Sequence, residues 1–260
     1  MKSGLLASLA LAVGLIAGAA QAEKLVVGAY PANPPWEFKN EQSQFEGFEV
    51  DMVNEIAARM GREVEISDLG FQALFAATAS GRIDLAISTI SITNERLQSQ
   101  SFTQGYYDAD LSLISTTGGV KSLADMKGQP IGAIASSTGD AWIQANTAAY
   151  GFGELRTYPD QQGLLLDVKA GRIAGAIGDV TGFIFAIKQM PDLAIAEVIP
   201  TGDRYGIMLT KGSPLLEQVN AAITAMKADG TMATIYERWL GEPPRAGSST
   251  VTELPIPVAQ

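Results

Sequence analysis

SGRIDLAIS (80–88) and AGRIAGAIG (170–178) decide how this chain folds. Both carry Gly-Arg-Ile, two further residues and then Ala-Ile, and they lie 90 positions apart. An apolar helical stretch precedes each, FQALFAATA (71–79) and GLLLDVKA (163–170), so each copy reads as helix, glycine stop and strand. The strands that open the two halves echo each other as well. LVVGAY (25–30) leads into a loop and Trp36, while PIGAIA (130–135) leads into SSTGD and Trp142. A duplicated order of strands and helices implies two similar α/β lobes, each a largely parallel sheet with helices on its faces.

Working outward, KLVVGAY (24–30) is a strand that ends in the turn-forming PANPP. GFEVDMVNEIAARMG (47–61) carries a helix, EVEIS (63–67) a second strand and RIDLAIS (82–88) a third. The second lobe is expected over 111–200, and the first over 23–110 together with 201–241. DRYGIMLTKGSP (203–214) reads as a return strand, with Ser213 capping and Pro214 opening the helix in LLEQVNAAITAMKADG (215–230). TMATIYERWLG (231–241) is a last helix, and 242–260, with four prolines, reads as a surface tail. Two passages between lobes suit a hinge.

The leading segment is set apart from this fold. Lys2, the apolar LLASLALAVGLIAGAA and Ala20-Gln21-Ala22 have the order of a secretory signal peptide cleaved after Ala22, which places the mature chain in the periplasm. The chain carries 18 basic and 28 acidic side chains, a formal net charge of -10, and loses one base with the leader. Such a balance argues against nucleic acid and anionic membrane surfaces as partners. There is no cysteine, so burial alone must hold the fold. There is no histidine either, which removes the commonest general base, the commonest metal ligand and the histidine-dependent nucleophiles. No metal or cofactor is expected.

In open parallel sheets, ligands bind outside the carboxyl ends of the strands. The loops there are AYPANPPW (29–36), STISITNER (88–96), ASSTGDAW (135–142) and GDV (178–180). Together they offer one cation, Arg96, one anion, Asp179, several hydroxyls and Gly139 at a helix start, a set that complements a zwitterion. Thr93 as N-cap puts Arg96 inside the first helical turn, which costs about 0.3–1 kcal/mol when exposed. An anion between the guanidinium and backbone N–H groups, such as those of Ser91 and Gly139, would justify that placement. Asp179 follows an apolar strand, where a buried charge is costly unless paired, and an ammonium would pair it. Plainer readings stand beside these: Arg96 as a solvated helix charge, Asp179 as the N-cap of TGFIFAIK, Ser137-Thr138-Gly139 as an ordinary cap, and Trp36, Phe71 and Trp142 as core aromatics.

GFEVDMVNEIAARM (47–60), ISTISITNER with SFTQGYY (87–107), SSTGDA (136–141), AGRIAGAIGDV (170–180) and YGIMLTKGS (205–213) resemble, in order and spacing, the periplasmic amino-acid-binding proteins of ABC importers, family 3 of the solute-binding proteins. The resemblance implies a periplasmic-binding-protein-like (type II) Venus flytrap, α/β in class, with two lobes joined by two crossover strands. It also implies that the lobes close on an L-amino acid or close derivative and then dock on a membrane permease; a monomer is expected. Arg96 matches the arginine that binds the α-carboxylate, and Asp179 the aspartate that binds the α-ammonium. Ser91 matches a backbone donor to the carboxylate, Thr89 a contributing carbonyl, and Thr138 and Gly139, beside Ser137, second-lobe donors. Phe71 matches an aromatic flanking the ligand side chain; Trp36, in the loop after the first strand, is a further candidate from its position and not from the resemblance. The chain departs from the pattern at Tyr30, often Asp, and at Asn33, usually Tyr or Phe, so the ligand side chain is not readable. The competing expectation is a cyclohexadienyl or arogenate dehydratase-like enzyme, which needs another acid in the cleft; Glu37, Asp140 and Asp203 are the candidates.

Overall fold

The structure, a computed structural model, describes residues 24–260, so the expected leader at 1–22 lies outside the described residues. The first lobe opens with β1 (Lys24–Ala29) and a small antiparallel ribbon of β2 (Ala32–Asn33), β3 (Glu37–Lys39) and β4 (Phe45–Glu46). It continues through α1 (Phe48–Arg59), β5 (Glu63–Asp68), α2 (Phe71–Ala79), β6 (Leu85–Ile87), α3 (Asn94–Ser99) and β7 (Gln100–Phe102). β8 (Tyr107–Thr116) crosses to the second lobe, which holds β9 (Ile131–Ile134), α4 (Thr138–Tyr150), β10 (Leu155–Tyr158), α5 (Gln161–Lys169), β11 (Gly175–Asp179) and α6 (Val180–Ile187). β12 (Leu193–Tyr205) returns, and β13 (Met208–Thr210), α7 (Leu216–Ala228) and α8 (Thr231–Leu240) complete the first lobe.

The two five-stranded sheets have the orders β5-β1-β6-β13-β7 and β10-β9-β11-β8-β12. In each, the first three strands are parallel and the fourth runs against the third. The Gly-Arg-Ile repeat enters the third strand of both sheets. Its glycines, Gly81 and Gly171, take left-handed φ of 69° and 68°, which glycine adopts at no steric cost. Its isoleucines, Ile83 and Ile173, are buried and lie over a glycine of the neighbouring parallel strand. A Cβ on Gly28 would stand 2.5 Å from Ile83 Cδ1, and one on Gly132 would stand 2.6 Å from Ile173 Cδ1. The repeat therefore marks the same packing solution used twice.

Apolar residues cover both faces of each sheet. In the first lobe Met52, Ile56, Ile223 and Met226 pack on Leu25 and Val27 from one side, and Leu74, Ile83 and Met208 form the other layer. In the second, Ile143, Ile131 and Ile177 make one layer and Leu164, Val168 and Phe183 the other. Full burial of one such side chain contributes about 1.5–3 kcal/mol, so four layers stabilise the fold without disulfides.

Three local readings differ from expectation. The return segment is not one strand: Asp203 to Tyr205 finish β12, and Gly206 and Ile207 separate them from β13. α7 starts at Leu216 rather than Pro214, because Ser213 and Pro214 form a separate turn in which Leu216 N donates to Ser213 O at 3.2 Å. Residues 242–260 contain no helix or strand yet are fastened down. Lys227 Nζ donates to Thr252 O at 2.9 Å, Leu254 N to Gln104 Oε1 at 3.0 Å, and Gln260 N to Asn94 Oδ1 at 2.7 Å. Ser249 is buried and donates through both N and Oγ to Asp108.

The crossover strands β8 and β12 pair antiparallel from Tyr107 opposite Tyr205 to Thr116 opposite Leu193. The ladder breaks between Ile199 and Asp203. There Asp110 Oδ1 accepts from Thr201 N at 2.9 Å and Gly202 N at 3.3 Å, which clasps the looped-out residues.

Candidate functional site

A cleft open to solvent, with about 810 Å³ of space counting its open mouth, lies between the lobes at the carboxyl ends of the parallel strands. Tyr30, Asn33, Phe71, Thr89, Ser91 and Arg96 line it from the first lobe, and Ser137, Thr138, Gly139 and Asp179 from the second. Trp36 does not. It is fully buried and meets Phe48, Tyr107 and Tyr205 edge-on, with centroids 5.6, 4.6 and 5.8 Å away. It packs behind Tyr205 in the core role that was the plainer reading of its position, not at the cleft as a ligand contact.

Thr93 caps α3 by accepting from Arg96 N at 3.2 Å, which puts the arginine on the first turn as the sequence indicates. Arg96 is not a solvated charge. Nη1 donates to Ser91 O at 2.8 Å, Nη2 to Ser136 O of the other lobe at 3.1 Å, and Cζ lies 5.0 Å from the Phe75 ring centroid. Burial lowers its pKa to about 10, opposed by the charges of Asp203 and Glu95. Phe75, one helical turn beyond Phe71, was missed; the i, i+4 spacing of two aromatics on α2 was the available signal.

Asp179 serves as an N-cap and lines the cleft at once. Oδ1 accepts from Gly182 N at 2.6 Å, and Oδ2 accepts from the Tyr205 hydroxyl. Burial pushes its carboxyl up to about 6, while the Tyr205 and Gly182 donors hold it from rising further. Trp36 Nε1 is buried, makes no hydrogen bond of regular geometry, and lies near enough to Asp179 to favour its ionised form.

On the second lobe, Ser137 caps α4 by accepting from Asp140 N at 3.1 Å, which leaves the N–H groups of Thr138 and Gly139 without partners inside the helix, and both residues line the cleft. A Cβ on Gly139 would stand 2.6 Å from the Ile177 carbonyl oxygen, so the close approach of α4 to β11 requires glycine. Two non-glycine residues at the rim take left-handed backbone, Thr89 at φ 48° and Ser136 at φ 64°. Each such residue costs about 1–3 kcal/mol and persists only where its surroundings hold it. Direct bonds also tie the lobes: Gln72 Nε2 donates to Ser136 Oγ at 3.1 Å, and the Tyr107 and Thr181 hydroxyls lie 2.8 Å apart.

Three carboxylates join Asp179 in the lining: Asp110, Asp160 and Asp203. Asp160 caps α5 through Oδ1 and sits beside Tyr30, whose hydroxyl is pushed up to about 12 by burial and by the Asp160 charge. Burial raises Asp203, while the Thr201 hydroxyl and Arg96 pull it back. Apolar walls come from Leu111, Ile134, Leu164, Ile177 and Phe183. Of the acids considered for chemistry, Glu37 is fully buried outside the cleft. Asp140 is engaged by Ser136 N at 3.1 Å and Gln144 Nε2 at 2.7 Å.

Two α/β lobes around a cleft with one guanidinium and a ring of carboxylates define a receptor for a small charged solute. The model of the bacterial extracellular solute-binding proteins, family 3, matches residues 25–242, and the chain belongs to that family. The family is one of binding proteins, which sets aside the dehydratase-like alternative. The chain is 32% identical over 238 residues to ABC transporter arginine-binding protein 1 of Escherichia coli K12, covering 88% of this chain and 96% of that protein. It is 28% identical over 233 residues to the L-cystine-binding protein TcyJ of the same strain, covering 88% and 86%. Among solved structures, an ancestral arginine-binding protein bound to arginine superposes with a TM-score of 0.80 at 31% identity, covering 85% of this chain and all (100%) of that one. The arginine-, lysine-, histidine-binding protein ArtJ of Geobacillus stearothermophilus gives 0.79 at 28% identity, covering 86% and 97%.

Proposed function

We propose that the cleft captures an L-α-amino acid with a cationic side chain and that lobe closure delivers it to the permease of an ABC importer. The carboxylate lies on the Arg96 fork and the N–H groups of Ser91, Thr138 and Gly139. The ammonium lies at Asp179, with the Thr89 carbonyl as a further acceptor. The side chain runs along the Phe71 ring and the apolar walls towards Tyr30, Asn33 and Asp160. One observation carries the choice of side chain: four carboxylates line the cleft against one guanidinium. A zwitterion offsets one charge of each sign, and the surplus acids favour a third, positive group. The relatives that bind arginine support the same choice.

The protein acts as a monomer in the periplasm after cleavage behind Ala22. The lobes 23–110 with 201–241 and 111–200 swing as rigid bodies about β8 and β12.

Thermal-shift measurements with the amino acids test this. At a hundredfold excess over Kd, ligand binding adds about 2.7 kcal/mol of stability, a rise of about 5–10 °C for a chain of this size. L-Arginine, L-lysine or L-ornithine should give the largest rise, and agmatine, which lacks the carboxylate, none. An equal or larger rise with L-glutamine or L-citrulline overturns the cationic choice.

A further inference from the structure

We propose that Glu37 and Glu49 share one proton and, as positioning residues, hold the Asn33–Thr89 wall of the cleft in shape for the solute; the second half rests on the reading of the cleft given above. Both carboxyls are fully buried, Glu37 on β3 and Glu49 in the first turn of α1. Their donors converge on one oxygen each. Glu37 Oε1 accepts from Ser88 Oγ at 2.5 Å and Asn33 Nδ2 at 3.1 Å, and Glu49 Oε1 accepts from Thr89 N at 2.9 Å and the Tyr106 hydroxyl. The other two oxygens, Glu37 Oε2 and Glu49 Oε2, are buried with no donor. The two side chains lie within hydrogen-bonding reach of each other.

Two ionised carboxylates this close would each keep an unpaired anionic oxygen in the dry interior, a costly arrangement. One proton between them satisfies both orphaned atoms. Burial and the charge of Glu49 push Glu37 well above the ordinary carboxyl range. Burial raises Glu49 too, opposed by the hydrogen bonds from Glu37, Tyr106 and Thr89. The other ionisable groups facing Glu37 are Tyr106, on the segment entering β8, and Tyr30, after β1. Burial raises both phenols, so neither adds charge at neutral pH.

The pair reaches the cleft through two residues. Glu49 fixes the left-handed Thr89 by its N–H. Asn33 Nδ2 is shared between Glu37 Oε1 and Thr89 Oγ1 at 3.2 Å. Loss of the proton turns the pair into two repelling anions and loosens both wall residues. Because the folded pair holds its proton above the unfolded carboxyl range, its contribution is complete at low pH and is lost as pH rises through its raised titration.

Carboxyl 13C NMR of glutamate-labelled protein, titrated from about pH 4 to about pH 9, tests this directly. One glutamate carboxyl should stay protonated at neutral pH, and its signal should vanish in Glu37→Gln. The amide of Glu37→Gln still donates to Glu49, so this variant should keep its melting temperature and bind L-arginine within about threefold of the parent. It should also lose the parent's decline at alkaline pH. Glu37→Ala should weaken binding by more than about tenfold. If all glutamates titrate together in the ordinary range, or Glu37→Gln declines with pH as the parent does, the proposal fails. Should Glu37→Gln not fold, the titration of the parent protein decides alone. A protonated carboxyl in a parent that ignores L-arginine would support the shared proton while rejecting the choice of solute.

Discussion

Arg96 Nη2 donates across the cleft to the carbonyl oxygen of Ser136 at 3.1 Å. The cation best placed for a carboxylate is thus also a direct link between the lobes, and Ser136 accepts it from a left-handed backbone. A solute carboxylate at this point meets both lobes together.

Arg96→Ala should weaken amino-acid binding by roughly 2–5 kcal/mol, since the carboxylate is left without its charged partner. Arg96→Lys keeps the charge and loses the fork, so it should recover only part of that. Titration calorimetry measures both, and an affinity unchanged by Arg96→Ala would remove the site assignment.

Gly139→Ala places a methyl against the Ile177 carbonyl, which stands 2.6 Å from the ideal Cβ. Backbone must move, and the N–H groups at the start of α4 move with it. Binding should fall by about tenfold or more, and stability by about 1–3 kcal/mol. Urea unfolding and calorimetry on the same variant separate the two effects.

Asp179 predicts how binding depends on acid. Its carboxyl is pushed up to about 6, and only the ionised form pairs with an ammonium. Affinity should therefore hold near neutrality and drop by up to about tenfold per pH unit below about 6. Tyr205→Phe removes a hydrogen bond that favours the ionised form, so the drop should begin at higher pH. A flat profile from about pH 5 to about pH 7 would contradict the role.

Removal of residues 243–260 should cost about 1–3 kcal/mol of stability, because buried Lys227 loses the Thr252 carbonyl and Gln104 loses the Leu254 N–H. Urea titration of the shortened chain checks this. Full stability would mean the segment only rests on the surface.

The fold was legible because the helix, glycine stop and strand around Gly-Arg-Ile are local signals written twice; the contacts they serve, Ile83 over Gly28 and Ile173 over Gly132, join strands far apart in sequence. Arg96 and Asp179 were legible from local signals: Arg96 stands three residues after the Thr93 cap, and Asp179 ends a strand and is itself a cap. The choice between core and cleft for Trp36 was not legible, because its burial depends on Tyr107 and Tyr205, far away in sequence. Asp110 and Asp160 lay in no recognisable pattern, and Asp203, considered only as a possible acid, enters the cleft through a break in pairing. The placement of Glu37 against Glu49 depends on how β3 meets α1, which no periodicity encodes. The fastening of 242–260 likewise depends on side chains from α7 and β8 that its prolines do not announce.

The interruption of the β8–β12 ladder at 200–202 has a mechanical consequence. The ladder also shifts register between Ile195 and Glu197, but the break at 200–202 is the longer one, and a paired ribbon yields most where most of its bonds are missing. Asp110 holds the gap by two N–H groups, and Asp203 leaves it pointing at the solute chamber. If the proposed swing of the lobes turns at this fulcrum, a few degrees of torsion there would become a far larger sweep at the outer edge of either arm.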